Sequence, residues 1–410
     1  MKADIQKLVA ERGVDAIVVE GGKECGPLML YITGGVRLLS AIYIEKKNGE
    51  KLLVHSLIER EEAAKSGLPC LSYSDLGLKG LLDEEKSTVR AYGRLYEKLF
   101  DRLSIKGKII FFGQAELSRF LPILEEIKKR VKGIEIDFDK EESLFDVARR
   151  TKSEDEVEKI RRAGEKTADS LKALVQHLRS LKQRGGKILK ADGTPLRIGD
   201  MRTILRIEFT KRGLLEGGGS IVSQGKDSAV PHNVGRDEDE VIPGKTIIVD
   251  IFPRDTASGY CFDMTRTLVF GKSSDEVKRI YGDVLDTFFY AAKIMDVGKE
   301  TRVCQEEVCA FFEKKGYPTI RQNESAVEGY VHSIGHGIGL EVHESPAFGA
   351  TAANKDRVSP GMVFTVEPGL YFPSKEIGVR IEDVFYVESD GKLRNLSEFP
   401  YEFEIPVAES

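Results

Sequence analysis

The sequence predicts an α/β domain over residues 1–150, followed by an α+β domain over residues 151–410. Three observations carry this. In the first 150 residues short apolar runs alternate with helical spacing, as strands covered by helices require. At residue 153 a new helix announces itself, because Ser153 and Glu156 fit the S-x-x-E capping box. Beyond it, strands and helices come in longer blocks, and several apolar strands contain or end on a carboxylate. A chain of 410 residues with 41% hydrophobic content has the material for two or three cores and excludes wholesale disorder.

The elements follow in order. Residues 15–19 are a short apolar strand. Residues 41–44 and 51–55 flank Asn48-Gly49 and form a β-hairpin. Residues 108–112 are a strand. Leu117, Phe120, Leu121, Leu124 and Ile127 place one apolar face on a helix over 116–131, and residues 134–138 are strand-like. No cluster in this half proposes chemistry. The helix from Ser153 runs to about residue 181 with Val157, Ile160, Ala168, Leu171, Leu174 and Leu178 on one face. Residues 182–193 are a loop or hairpin, and 199–211 a second helix. Gly217, Gly218 and Gly219 precede a strand at 221–223. Strands at 246–252 and 261–270, helices at 274–297 (capped by Ser273 with Glu276) and 301–315, and strands at 363–367 and 378–387 complete the pattern.

Composition removes several functions. The net charge of −5 argues against a nucleic-acid or anionic-membrane binder, which needs a basic footprint. No run of 18 apolar residues exists to cross a membrane, and the charged N-terminus lacks a signal-peptide core. Five scattered cysteines (Cys25, Cys70, Cys261, Cys304, Cys309), with no C-x-x-C pair, read as reduced thiols of a cytoplasmic protein.

Chemistry concentrates late in the chain. His332, His336 and His343 are interleaved with Gly335, Gly337 and Gly339. His332 and His336 have the spacing of an H-E-x-x-H helix, but the glycines disfavour a helix and no glutamate follows His332. The glycines suggest a backbone passing close to something bound. Asp250, Asp263, Glu367 and Glu382 all lie in or at the ends of apolar strands, where a charge is costly unless paired or bound to metal. Together with the histidine cluster they suggest an oxygen-rich site for two divalent cations bridged by hydroxide. A single imidazole among carboxylates suits manganese, with cobalt, iron or zinc as alternatives.

These residues resemble a family, the pita-bread metallopeptidases, which includes methionine aminopeptidase, aminopeptidase P and Xaa-Pro dipeptidase. The matching segments are Pro231-His232; Asp250 with Asp263 and the Met264–Thr267 stretch; Gly335-His336-Gly337 through Glu344 and Pro346; Thr365 through Gly369; and Val379 through Asp383. The resemblance covers about residues 150–405, and residues 1–150 resemble more weakly the extra creatinase-like domain of the Xaa-Pro-cleaving branch. It implies a pita-bread catalytic domain over 151–410. Asp250 would chelate one metal, Asp263 and Glu382 would bridge both, and His336 and Glu367 would bind the second. His232 and His343 would contact the scissile peptide and its tetrahedral intermediate, His332 would line the pocket, and Thr265 and Arg380 would steady the bridging carboxylates beside bound substrate. Glu367 would shuttle the proton.

The resemblance therefore implies a dinuclear aminopeptidase, a cytoplasmic homodimer that releases the residue before a proline in second position. Two departures bear on this. Asp250 and Asp263 are further apart than is usual, which predicts a longer hairpin, with Asp255 as an alternative ligand. Dipeptidases of the family carry an arginine just after the His-Glu-x-Pro segment to bind the substrate carboxylate, and here Ala347 and Phe348 stand there. That favours longer peptides over dipeptides, unless another basic residue takes the arginine's place. A silent binding module of this fold would be expected to lose metal ligands, and creatine hydrolysis would not need them; this chain keeps all five.

Overall fold

The computed structural model describes residues 2–22, 26–139 and 142–409; Cys25 lies outside them. The chain divides into two compact units, Met1–Arg149 and Arg150–Ser410.

The first unit is built on a six-stranded mixed sheet. Its centre is Ala16–Glu20, antiparallel to Ala41–Lys46 and parallel to Gly107–Gly113. The expected hairpin joins Ala41–Lys46 to Lys51–His55 in the register Ala41 to His55, and Gly49 turns it with φ +86°. Cys70–Ser72 and Ile134–Asp137 form the edges. The helix Leu117–Arg130 forms where its spacing predicts. Thr88–Arg102 is a helix that the reading of periodicity missed, although Ser87 caps it and Ala91, Leu95, Tyr96 and Leu99 bury one face. Its polar positions include Tyr92 and Arg94 between the apolar ones, and this weakens the stripe in sequence.

The second unit opens on the helix Glu154–Arg179, closed at its start by the full Ser153–Glu156 capping box. Residues 182–189 form a small hairpin. Four sheets follow, the smallest pairing Leu214–Leu215 with Arg254–Asp255. One has the order Ile221–Gln224, Thr246–Ile251, Met264–Phe270, Glu404–Ile405. A second runs Glu344–Ala347, His336–Gly337, Val363–Val366, Asp383–Val387, Leu393–Asn395. The third pairs Gly369–Phe372 with Ile377–Arg380. Helices Asp275–Ile294 and Thr301–Lys314 cover a core that includes Phe288, Phe312, Phe364 and Ile381. No helix among the described residues is long and apolar enough to cross a membrane.

Two expectations are corrected here. The helix at 275 is capped by Ser274, which accepts from Val277 N–H, because Ser273 is held by Glu404 at 2.8 Å and Glu276 pairs outward with Lys375. The strand expected over 378–387 is two strands in different sheets, broken at Ile381 and Glu382. The break matters, since it lets Glu382 cross to Thr265 of the first sheet through reciprocal backbone bonds.

Candidate metal centre

Where these sheets meet, five side chains converge. Asp250 comes from Thr246–Ile251, and Asp263 stands one residue ahead of Met264–Phe270, the adjacent antiparallel strand. Glu367 follows Val363–Val366, and its N–H donates to Ile334 O, which ties it to the histidine segment. His336 begins the short strand beside it. Glu382 sits in the break described above. Ligand atoms of Asp263, His336 and Glu382 all lie within 4.8 Å of one another. His336 Nε2 is 3.7 Å from Asp263 Oδ2 and 3.5 Å from Glu367 Oε1. Its Nδ1 faces Gly337 O at 3.1 Å, so Nδ1 carries the hydrogen and the Nε2 lone pair faces the carboxylates.

The electrostatics are those of acids buried close together. Asp250, Asp263 and Glu382 are 2–8% exposed. Burial pushes the Asp263 and Glu382 carboxyls well above the usual range, and their acidic neighbours push them further. Burial raises Glu367 to about 8, against the opposing pull of Arg380. Burial, with His343 nearby, lowers His336 to about 4, so the imidazole is neutral at pH 7. Oδ1 of Asp250 and Oδ1 of Asp263 are buried with no hydrogen-bond partner. Buried carboxylate oxygens without donors are costly. Divalent cations fit this donor set: they would satisfy the orphaned oxygens and offset the clustered charge, with Asp250, Asp263, His336, Glu367 and Glu382 to hold them.

The surrounding groups are satisfied. Thr265 Oγ1 donates to Glu382 Oε2 at 2.7 Å. Arg380 donates to Asp250 Oδ2 at 2.6 Å, Tyr371 Oη at 2.7 Å, Pro231 O at 3.1 Å and Thr265 Oγ1 at 3.3 Å. Its acid partner is thus Asp250 rather than Asp263 or Glu382. Tyr371, for which the sequence offers no signal, links Arg380 to His332 Nε2 at 3.0 Å. Burial, reinforced by Arg380, lowers His332 to about 3. His232 and His343 are exposed side chains on the wall of the same cavity, which measures about 590 Å³. The rings of His343 and His336 are 4.3 Å apart. Lys152 and Glu344, both buried, pair at 2.9 Å and pin the His343 loop.

Three further expectations meet the structure here. The glycines around His336 make room for protein rather than for a bound group: a Cβ on Gly335 would lie 2.0 Å from Thr365 O, and one on Gly337 2.2 Å from Ser345 O. Asp255 stands apart, paired with Lys166 and Ser258. Phe348 packs in the core against Phe364, and neither it nor Ala347 lines the cavity. Instead the longer Asp250–Asp263 interval adds Phe252 and Arg254 to the wall, opposite no expectation of the sequence.

The family description for metallopeptidase family M24 matches residues 158–389, more than half of the chain. An uncharacterized peptidase of Bacillus subtilis is 35% identical over 185 residues, 45% of this chain and 48% of that one, so the match spans about half that relative's length. An Xaa-Pro dipeptidase of Pyrococcus furiosus is 24% identical over 400 residues, 96% of this chain and 97% of that one. The crystal structure of an X-Pro aminopeptidase from Thermotoga maritima superposes with a TM-score of 0.74 at 24% identity, covering 99% of both chains. The last likeness is one of fold, and the fold is the pita-bread architecture with its additional N-terminal α/β domain.

Proposed function

We propose that this chain, which belongs to metallopeptidase family M24, is an aminopeptidase that hydrolyses the bond between the first residue of a peptide and a proline in second position. The observation that carries the reading is the cluster of four carboxylates, three buried and one half-buried, around one neutral imidazole, with two orphaned oxygens and a single guanidinium. Relatives named for Xaa-Pro cleavage over nearly the whole length support the substrate class. Asp250, Asp263, His336, Glu367 and Glu382 would hold two divalent ions, manganese first. When bound, such ions supply a hydroxide at neutral pH and polarise the carbonyl.

The chain's own groups do the rest. Glu367 takes the proton of the attacking water and delivers it to the leaving nitrogen as the C–N bond breaks. A proline nitrogen carries no hydrogen in the peptide, so this one proton turns it into a free secondary amine. His343 lies at the cavity wall with its pKa lowered by burial and by His232, and is neutral at pH 7. Its N–H and that of His232 can donate to the oxygen that becomes negative in the tetrahedral intermediate. His332, held by Tyr371 and Ser333 O, shapes the pocket.

The preference for longer peptides rests on Ala347 and on the burial of Phe348. A dipeptide brings a carboxylate one residue beyond the scissile bond, and an unpaired charge there is unfavourable. Steady-state kinetics with manganese on Xaa-Pro, Xaa-Pro-Yaa, Met-Ala-Yaa and Xaa-Ala-Yaa test the proposal. We expect cleavage of the proline peptides, and kcat/KM about tenfold higher for Xaa-Pro-Yaa than for Xaa-Pro, or ~1.4 kcal/mol. Preference for Xaa-Ala-Yaa would remove the proline assignment. Equal or better use of the dipeptide would make the enzyme an Xaa-Pro dipeptidase.

A further inference from the structure

The long connection between Asp250 and Asp263 does more than close a hairpin. Arg254 and Asp255 pair with Leu214 and Leu215, which lead directly into Gly217, Gly218 and Gly219. Phe252 lies across this glycine run, 3.3 Å from where a Cβ on Gly218 would stand. Gly217–Gly219, Phe252 and Arg254 thus form one wall of the cavity that holds the carboxylate cluster. Without side chains on the glycines, that wall is recessed.

Arg254 is half-buried there. No carboxylate among the described residues pairs with it. Its side-chain partner is the Cys261 sulfur, a single weak acceptor that leaves most of the guanidinium donors unused. Glu344, also close to that thiol, is engaged by Lys152 at 2.9 Å. The other guanidinium of the cavity, Arg380, is fully occupied by Asp250, Tyr371, Thr265 and Pro231 O. Arg254 is therefore a planar five-donor cation, partly withdrawn from water, facing a peptide-sized space with its acid partner missing. Such a fork matches a carboxylate in two parallel hydrogen bonds.

We infer that Arg254, backed by Phe252 and the recessed glycine wall, is a specificity-determining residue that binds a carboxylate of the substrate. The inference rests on reading the cavity as a peptide site. It places a cation on the cavity wall, away from Ala347 and Phe348, on an element that carries none of the reacting groups. Two parts of a peptide can present that carboxylate: the C-terminus of a short substrate or an acidic side chain.

The test compares the manganese enzyme on matched pairs. One arm sets the free acids of Xaa-Pro and Xaa-Pro-Yaa against their C-terminal amides, and the other sets Glu-Pro-Yaa amide against Gln-Pro-Yaa amide. We expect at least one carboxylate form to exceed its amide partner tenfold or more in kcat/KM, and the arm that does so identifies the source. Arg254→Leu is expected to bring that ratio to about one, and Arg254→Lys to keep part of it. A merely structural role would lower both members of a pair alike and leave the ratio intact. Ratios near one in both arms for the wild-type enzyme, or a ratio unchanged in Arg254→Leu, would overturn the inference. If only alanine-containing analogues are cleaved, the proline reading fails while the ratio is still read on those peptides. If nothing is cleaved, calorimetric binding of the same acid and amide pairs decides it by the same ratio.

Discussion

In the N-terminal unit Glu45 is fully buried on the strand Ala41–Lys46, yet one oxygen accepts the Tyr43 hydroxyl and the other faces the Lys51 ammonium at 3.4 Å. In the C-terminal unit Asp383 is equally buried and is met by Arg266 at 2.8 Å, with Asn395 and Tyr401 on its other oxygen. One residue before it, Glu382 points into the cluster with Asp250, Asp263 and Glu367, where four carboxylates share the single guanidinium of Arg380. Burial of an acid is common to all these places and marks none of them. What separates the candidate metal centre from the two structural pairs is the imbalance of charge: Glu45 Oε1, like Oδ1 of Asp250 and of Asp263, has no hydrogen-bond partner, but it faces an ammonium of its own.

The comparison can be broken most sharply at Glu367. Glu367→Gln removes one charge from the cluster and the proposed proton carrier, and turnover should fall by about 10²–10⁴. Single-turnover assays with metal content measured in parallel check this; more than a tenth of wild-type kcat with metal bound would take the proton transfer away from Glu367. The neighbouring histidines should divide. His336→Ala should lose metal on dialysis, whereas His343→Ala should keep it and lose kcat. Equal metal loss in both would place His343 among the ligands.

Structural pairs and cluster should then respond in opposite ways to losing one member. Arg266→Leu strands Asp383 in the core and should cost about 3–5 kcal/mol in urea unfolding, with no rescue by manganese. Asp263→Asn relieves repulsion, so the metal-free protein should melt no lower than wild type while the rise in Tm on adding manganese disappears. A drop in the metal-free Tm would mean that Asp263 is a structural acid after all.

The smallest effect is one of pH. Glu367 is raised from 4.5 to about 8, so between those values the folded chain keeps a proton that the unfolded chain releases. Stability of the metal-free protein therefore falls as pH rises through that window. His336, lowered from 6.5 to about 4, acts oppositely, but only below pH 6.5, where the unfolded chain takes up the proton. From pH 6.5 to about 8 the raised carboxylates, with Glu20 of the N-terminal unit among them since burial raises it also to about 8, act without the histidines. Melting curves should show Tm of the metal-free protein declining across this interval, and the gain on adding manganese growing. A flat metal-free profile would argue that the acids ionise without penalty.

Much of this was legible in the residues. The periodicity at Leu117–Ile127 and the capping box at Ser153 fix local structure through contacts a few residues apart, and both elements form where they are expected. Acids set in apolar strands, at positions 250, 263, 367 and 382, advertise their cost in any fold. The strand break at Glu382 was not legible, because residues 378–387 are apolar enough to run on as one strand. Nor was Tyr371, an aromatic residue among other core residues whose hydroxyl gains meaning only from Arg380 and His332.

The sequence by itself determined which chemistry could exist here: the kinds of ligand, their order, and the family they belong to, since these depend on residue types and local patterns. The tertiary structure decided which charges go unanswered. It gave Arg266 to Asp383, Lys166 to Asp255 and Lys152 to Glu344. It left Asp250 and Asp263 each with a bare oxygen, and Arg254 without an acid among the described residues. Such pairings join residues up to 192 positions apart. Electrostatic interaction falls off with distance through space and takes no account of distance along the chain, so the balance of charge at a site is a property of the fold.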